Sequence, residues 1–196
     1  MPGLMDLLSQ TLGGDTTSQI SRKVGADPAA TSTAIAAAIP MLLAGLTRNA
    51  SQPGGANALH DALTRDHDGS LLDNMSGLLG NPQSGQGAGI LGHVLGDRQE
   101  HAENAISGVS GLDKRQVTAL LITLAPVVLA ALGRMQRQRN LDAGGLASTL
   151  GQEHEQHAQA APDLMAMASK LFGGGGGNAS PMDDVLRTVG GLFGKS

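Results

Sequence analysis

The chain of 196 residues contains no cysteine, tryptophan or tyrosine, and its only phenylalanines are Phe172 and Phe193. The lack of cysteine excludes a disulfide scaffold, a thiolate metal site and a cysteine nucleophile together. It leaves the compartment open, because a cysteine-free chain suits reducing and oxidising surroundings alike. With so few aromatics, any core is built from Leu, Ile, Val, Met and Ala. Such side chains pack helix on helix at close range, whereas strands favour aromatic and β-branched residues. Positive charge is also scarce: a net charge of −4 argues against a nucleic-acid binder that works through phosphate contacts. The opening residues, Met1 to Asp6, lack the basic region and apolar run of a secretory signal, so a cytoplasmic protein is expected.

What the chain does have is an internal echo at a spacing of 86 residues. Ile20-Ser21 matches Ile106-Ser107, Gly25 matches Gly111, and Asp27 matches Asp113. Pro40 matches Pro126, Leu43-Ala44 matches Leu129-Ala130, and Leu46 and Arg48 match Leu132 and Arg134. These are nine identities in a gapless 29 positions, where biased composition alone gives roughly two or three. The repeat predicts an all-α, pseudo-symmetric duplicated bundle over residues 1–158, with halves at about 4–79 and 90–158 and a linker at 80–89. Residues 159–196 follow as short helices with a glycine-rich tether at 173–180.

Local signals fill in the helices. Leu4 to Leu12 places Leu4, Leu7, Leu8 and Leu12 on one face, and Gly13-Gly14 ends it. Asp15 or Thr16 is the expected cap of a second helix through Ile20 to Val24, which Gly25 ends. Asp27-Pro28 combines an N-cap acid with a proline at the first helical position. Asp113 has Gln116 three residues on, a capping-box arrangement. Thr33 to Leu46 and Ala119 to Leu132 are apolar nearly all round and read as buried central helices. Each of these apolar segments is 14 residues, short for a bilayer span. Pro40 and Pro126 are expected to kink these helices or split each in two. Polar turns are expected at Asn49 to Gly55 and Asn140 to Gly145, followed by helices from about Ala56 to Thr64 and Leu146 to His157. Gly80 to Gly89 has linker composition.

Few constellations suggest chemistry. Asp66-His67-Asp68-Gly69-Ser70 has the acid spacing of a calcium loop's middle, with Asp66 and Asp68 as candidate ligands. The first ligand position falls on Thr64 and the closing acid position on Met75, however. A helix cap by Asp68 or Ser70 accounts for the same residues. His154 and His157 are three apart where a zinc-protease helix needs four, and with His60, His67, His93 and His101 they read as solvated surface. Arg134, Arg137 and Arg139 suit either a phosphate or the negative end of a helix. No phosphate loop, serine elbow or Ser-His-acid set is present, so no catalytic residue and no cofactor is assigned. Phe172 and Phe193, each in a Leu-Phe-Gly triplet on the tethered tail, are candidate partner-binding anchors. Docking on the chain's own body and docking on a neighbour both fit them.

Several phrases resemble the bacterial domain-of-unknown-function 937 family, to which YidB-like proteins are related. They are Leu4-Met5-Asp6-Leu7-Leu8, the run Ile39 to Leu46, Asp66 to Asp73, Gly89 to Gly96, and Leu141 to Leu146. Together they cover roughly residues 4–151. The resemblance implies an all-helical fold and carries over no catalytic residue. The residues and the resemblance together predict a non-enzymatic helical protein acting through protein contacts, a homo-oligomer without a nucleic-acid partner. A cation or small-ligand module at Asp66 and Asp68 is the alternative. Membrane association is disfavoured by the net negative charge and the scarcity of aromatics.

Overall fold

Leucines at positions 4, 7 and 8, all buried, set the first helix of the fold, α1 (Leu4–Thr11). The computed structural model describes residues 3–66, 69–74 and 84–160. Further helices are α2 (Gly14–Val24), α3 (Pro28–Ala50), α4 (Gly55–Asp66), α5 (Ser84–Leu95), α6 (Gln99–Ser110), α7 (Lys114–Arg139) and α8 (Ala143–Ala160). Single 3-10 turns cover Ser70–Asn74 and Gly96–Arg98. Among the described residues there is no strand, and the fold is all-α.

The helix ends follow the predicted chemistry at several corners. Gly25 and Gly111 both take the left-handed conformation, at φ 67° and 74°, which a residue without Cβ adopts freely. Asp27 Oδ1 accepts from the Ala29 and Ala30 N–H groups at 2.8 and 3.2 Å, ahead of Pro28. Asp113 and Gln116 form a reciprocal box: Gln116 N–H donates to Asp113 Oδ1 at 2.8 Å, and Asp113 N–H to Gln116 Oε1 at 3.0 Å.

Other expectations are corrected. Helix α2 begins at Gly14 with Gly13 at the N-cap, not at Asp15 or Thr16. The Thr17 hydroxyl donates to Leu12 O at 2.7 Å and tightens that corner. The turn after α3 shrinks to residues 51–54, because α3 runs on to Ala50. Likewise α8 starts at Ala143, where Asp142 Oδ1 accepts from Gly145 N–H at 2.7 Å and satisfies a first-turn donor. Of the expected linker at 80–89, residues 84–89 are the first part of α5. The glycines read as linker have a packing role there. A Cβ on Gly87 would stand 2.4 Å from the Ile122 carbonyl oxygen, so α5 approaches α7 more closely than any larger residue allows.

Pro40 and Pro126 are buried within α3 and α7, and neither splits its helix. Each proline removes one backbone donor, leaving the carbonyls of Ala36 and Ile122 without their helical partner. The Ile122 carbonyl is the one that Gly87 approaches. α3 and α7 span 23 and 26 residues, and each holds an 18-residue window apolar enough to cross a bilayer. Counting only the 14-residue apolar segments understates their length. In the fold those windows are 67% and 72% buried, and the two helices pack on each other.

The core is one continuous cluster reaching from Leu4 to Leu150. α3 packs against α2 and α4 of its own half of the chain, and also against α5, α6 and α8. α7 packs against α5 and α6, and also against α1, α2 and α4. Each central helix is therefore covered from both halves. Fully burying one leucine contributes about 1.5–3 kcal/mol.

Candidate functional site

The C-terminal end of α3, the α4 face formed by Gly55, Ala58, Leu59 and Ala62, and one side of α5 enclose an apolar groove of about 470 Å³. Positions 55, 58, 59 and 62 fall on one side of a helix, and Gly89, Ile90, His93 and Val94 do the same on α5. Leu46 and Leu129 line the floor and are buried, whereas Leu59 and Ile90 are only half-buried. Polar groups stand at the rim: Asn49 donates through Nδ2 to His93 O at 2.7 Å, bracing α3 against α5. Gly45 lets the two helices meet, since a Cβ there would come within 2.6 Å of Val94 O.

Sequence reasoning misses this groove. Its signal is faint: small residues at helical spacing on α4, and an Ile-Val pair four apart on α5. Either helix alone reads as an ordinary amphipathic segment, and only their juxtaposition makes a concave surface.

The sequence-predicted positions fall elsewhere. Asp66 is exposed at the last residue of α4, and Asp68 lies outside the described residues, as do Phe172 and Phe193. Among the described residues no three His, Cys, Asp or Glu side chains converge. Gly69 and the turn that follows are tied to α7 by Arg134, whose Nη2 donates to Gly69 O at 3.0 Å and pairs with Asp73. This arginine is therefore engaged in fastening a turn. Gly69 has φ 88°, and a Cβ on it would strike Arg134 Cβ at 2.7 Å, so glycine is required there both for conformation and for space.

His154 departs from the solvated surface expected of it. The ring is half-buried on α8, with an enclosed Nδ1 that has no hydrogen-bond partner among the described residues. Its neighbour in sequence, Glu153, is 8% exposed and accepts from the Leu4 N–H at 3.2 Å. Glycine at position 3 has no side chain to cap α1, so Glu153 supplies the acceptor from α8, 149 residues along the chain.

On the outer surface, Lys114 Nζ lies 2.8 Å from Glu100 Oε1 and joins the starts of α6 and α7. The hydrogen bond to Lys114 holds the Glu100 carboxyl below the usual carboxylate range. The same bond raises the Lys114 ammonium above its ordinary value.

No curated protein and no solved structure matches the chain. A family model described as a bacterial protein of unknown function, DUF937, matches residues 6–135. The match begins in α1, takes in the groove and the turn fastened by Arg134, and ends near the close of α7. The chain belongs to this DUF937 family.

Proposed function

We propose that this protein is a duplicated, non-enzymatic helical module that acts through protein contacts and assembles with copies of itself. One observation carries the reading. The described residues consume their own large apolar side chains in the core, and among them only Val109, at 40%, is exposed. Phe172 and Phe193 lie beyond that core in sequence and are the chain's only aromatics. Large apolar anchors of this kind drive association when they enter a pocket on a partner. The matched corners at Gly25 and Gly111, Asp27 and Asp113, and Pro40 and Pro126 support the duplication.

Light scattering on the full chain and on a chain ending at Phe172 tests the assembly. The full chain is expected at a multiple of 19.8 kDa, and the shortened chain at a lower mass. Identical monomer masses for both at high concentration overturn the reading.

A further inference from the structure

We infer that the groove bounded by α3, α4, α5 and α7 is a binding site for a small uncharged amphiphile, an aliphatic body with one hydroxyl head. The inference goes beyond assembly, because the occupant is a free small molecule and not a second copy of the chain.

The lining selects the charge of the ligand. None of the described residues that line the groove is Asp, Glu, Lys or Arg. A carboxylate or an ammonium group therefore leaves water without gaining a partner of opposite charge, which is costly. The groove also lies at the C-terminal end of α3, whose outward carbonyls add a negative field that opposes an anion. The rim offers neutral groups instead, the Gln52 amide and the His93 imidazole. Neither side chain is hydrogen-bonded among the described residues. An amide and a neutral imidazole each present a donor and an acceptor, which suits a hydroxyl.

The walls select the body of the ligand. Leu46, Leu59, Ile90, Val94 and Leu129 supply the large apolar surface. No Phe, Tyr or Trp lines the groove, so a flat ring finds no stacking partner there. Gly55, Ala58, Ala62 and Gly89 keep the space between these side chains open. A cavity of about 150 Å³ holds one benzene, so about 470 Å³ takes roughly eighteen carbon-sized atoms. Leu59 and Ile90 are half-buried, and a bound chain covers the apolar surface they still expose.

Size favours a small molecule over a protein. A stable protein interface draws on about 20–30 residues a side, whereas twelve line the groove. The walls are also set in advance, as ligand pockets are. Asn49 braces α3 against α5 through the His93 carbonyl oxygen. Gly45 lies against Val94 and Gly55 against Asn49, each with no room for a Cβ.

Calorimetric titration of the full chain with 1-hexanol, 1-octanol, 1-decanol and 1-dodecanol tests the site. Saturable binding of one alcohol per chain is expected, tightening on the order of tenfold for each two-carbon step. Decanoate and decylammonium are expected to bind at least about tenfold more weakly than 1-decanol. Ala58 is exposed and lines the groove, so Ala58→Phe obstructs the site from a position outside the core. It is expected to weaken 1-decanol binding at least about tenfold, as the space it fills is lost to the ligand. Ala62→Leu is expected to do the same, and Val109→Phe, outside the groove, to leave binding unchanged. Absence of saturable binding overturns the inference, as does equal affinity in Ala58→Phe and the natural chain. Decanoate binding as tightly as 1-decanol overturns it too. Flotation with phosphatidylcholine vesicles, without binding of free alcohols, overturns it by assigning the groove to a membrane. Light scattering that shows an oligomer without alcohol binding removes this inference and leaves the assembly reading intact.

Discussion

Gln116 Nε2 donates to the Gly25 carbonyl oxygen at 2.7 Å, so the side chain that closes the cap of α7 also holds the end of α2. The same amide receives the Asp113 N–H through Oε1. One residue thereby joins two corners that match each other at the 86-residue spacing. Its counterpart in the first half, Ala30, has no such side chain, and Asp27 there takes both first-turn donors itself. Gln116→Ala is expected to lose two hydrogen bonds, for about 1–2 kcal/mol. Urea unfolding measures it, and an unchanged midpoint refutes the joining role.

Close approach at glycine gives a second expectation. Gly87→Ala and Gly45→Ala place a methyl against a backbone carbonyl at 2.4 and 2.6 Å, and overpacking of this kind costs about 1–3 kcal/mol. Gly92, also in α5, has nothing within 4 Å of its ideal Cβ. Gly92→Ala is expected to stabilise by about 0.5–1 kcal/mol through helix propensity alone. Thermal unfolding of the three variants separates packing from propensity within one protein.

These glycines also show why part of the fold was legible and part was not. Asp27-Pro28, Asp113 with Gln116, and the ending glycines 25 and 111 act within four residues of their own position, so the sequence displays them directly. Composition misjudges the stretch from Ser84 to Gly89, because the need for glycine at position 87 depends on Ile122, far along the chain in α7. The Leu4–Glu153 bond joins α1 to α8, and the apolar groove needs α3, α4, α5 and α7 at once. Neither leaves a periodic trace. Asp66 and Asp68 have suggestive spacing but no third ligand in sequence, and Asp68 lies outside the described residues.

Glu153 supports a third prediction. Glu153→Ala leaves the buried Leu4 N–H without this acceptor, at about 1–3 kcal/mol, whereas Glu153→Gln retains an oxygen and is expected to lose less. Hydrogen exchange at Leu4 is the specific readout. Equal protection in both variants would show that α1 does not depend on this contact.

The pair Glu100–Lys114 sets a pH dependence with a definite sign. The Glu100 pKa is lowered in the fold, so its contribution is present above the ordinary carboxylate range and lost as pH falls through the lowered value. The Lys114 pKa is raised, so that contribution is present below the ordinary ammonium range and lost as pH rises through the raised value. Both groups face solvent, and screening keeps the effect small. The melting difference between the natural chain and Glu100→Gln is expected at neutral pH in low salt, and to vanish in strong acid or high salt.

The interleaved cover of α3 and α7 bears on which parts of the chain can fold alone. A gene cut between α4 and α5 encodes two products, each missing the helices that shield its greasiest rod from water. Neither stretch of chain shields its own rod, so the two have to fold as one unit.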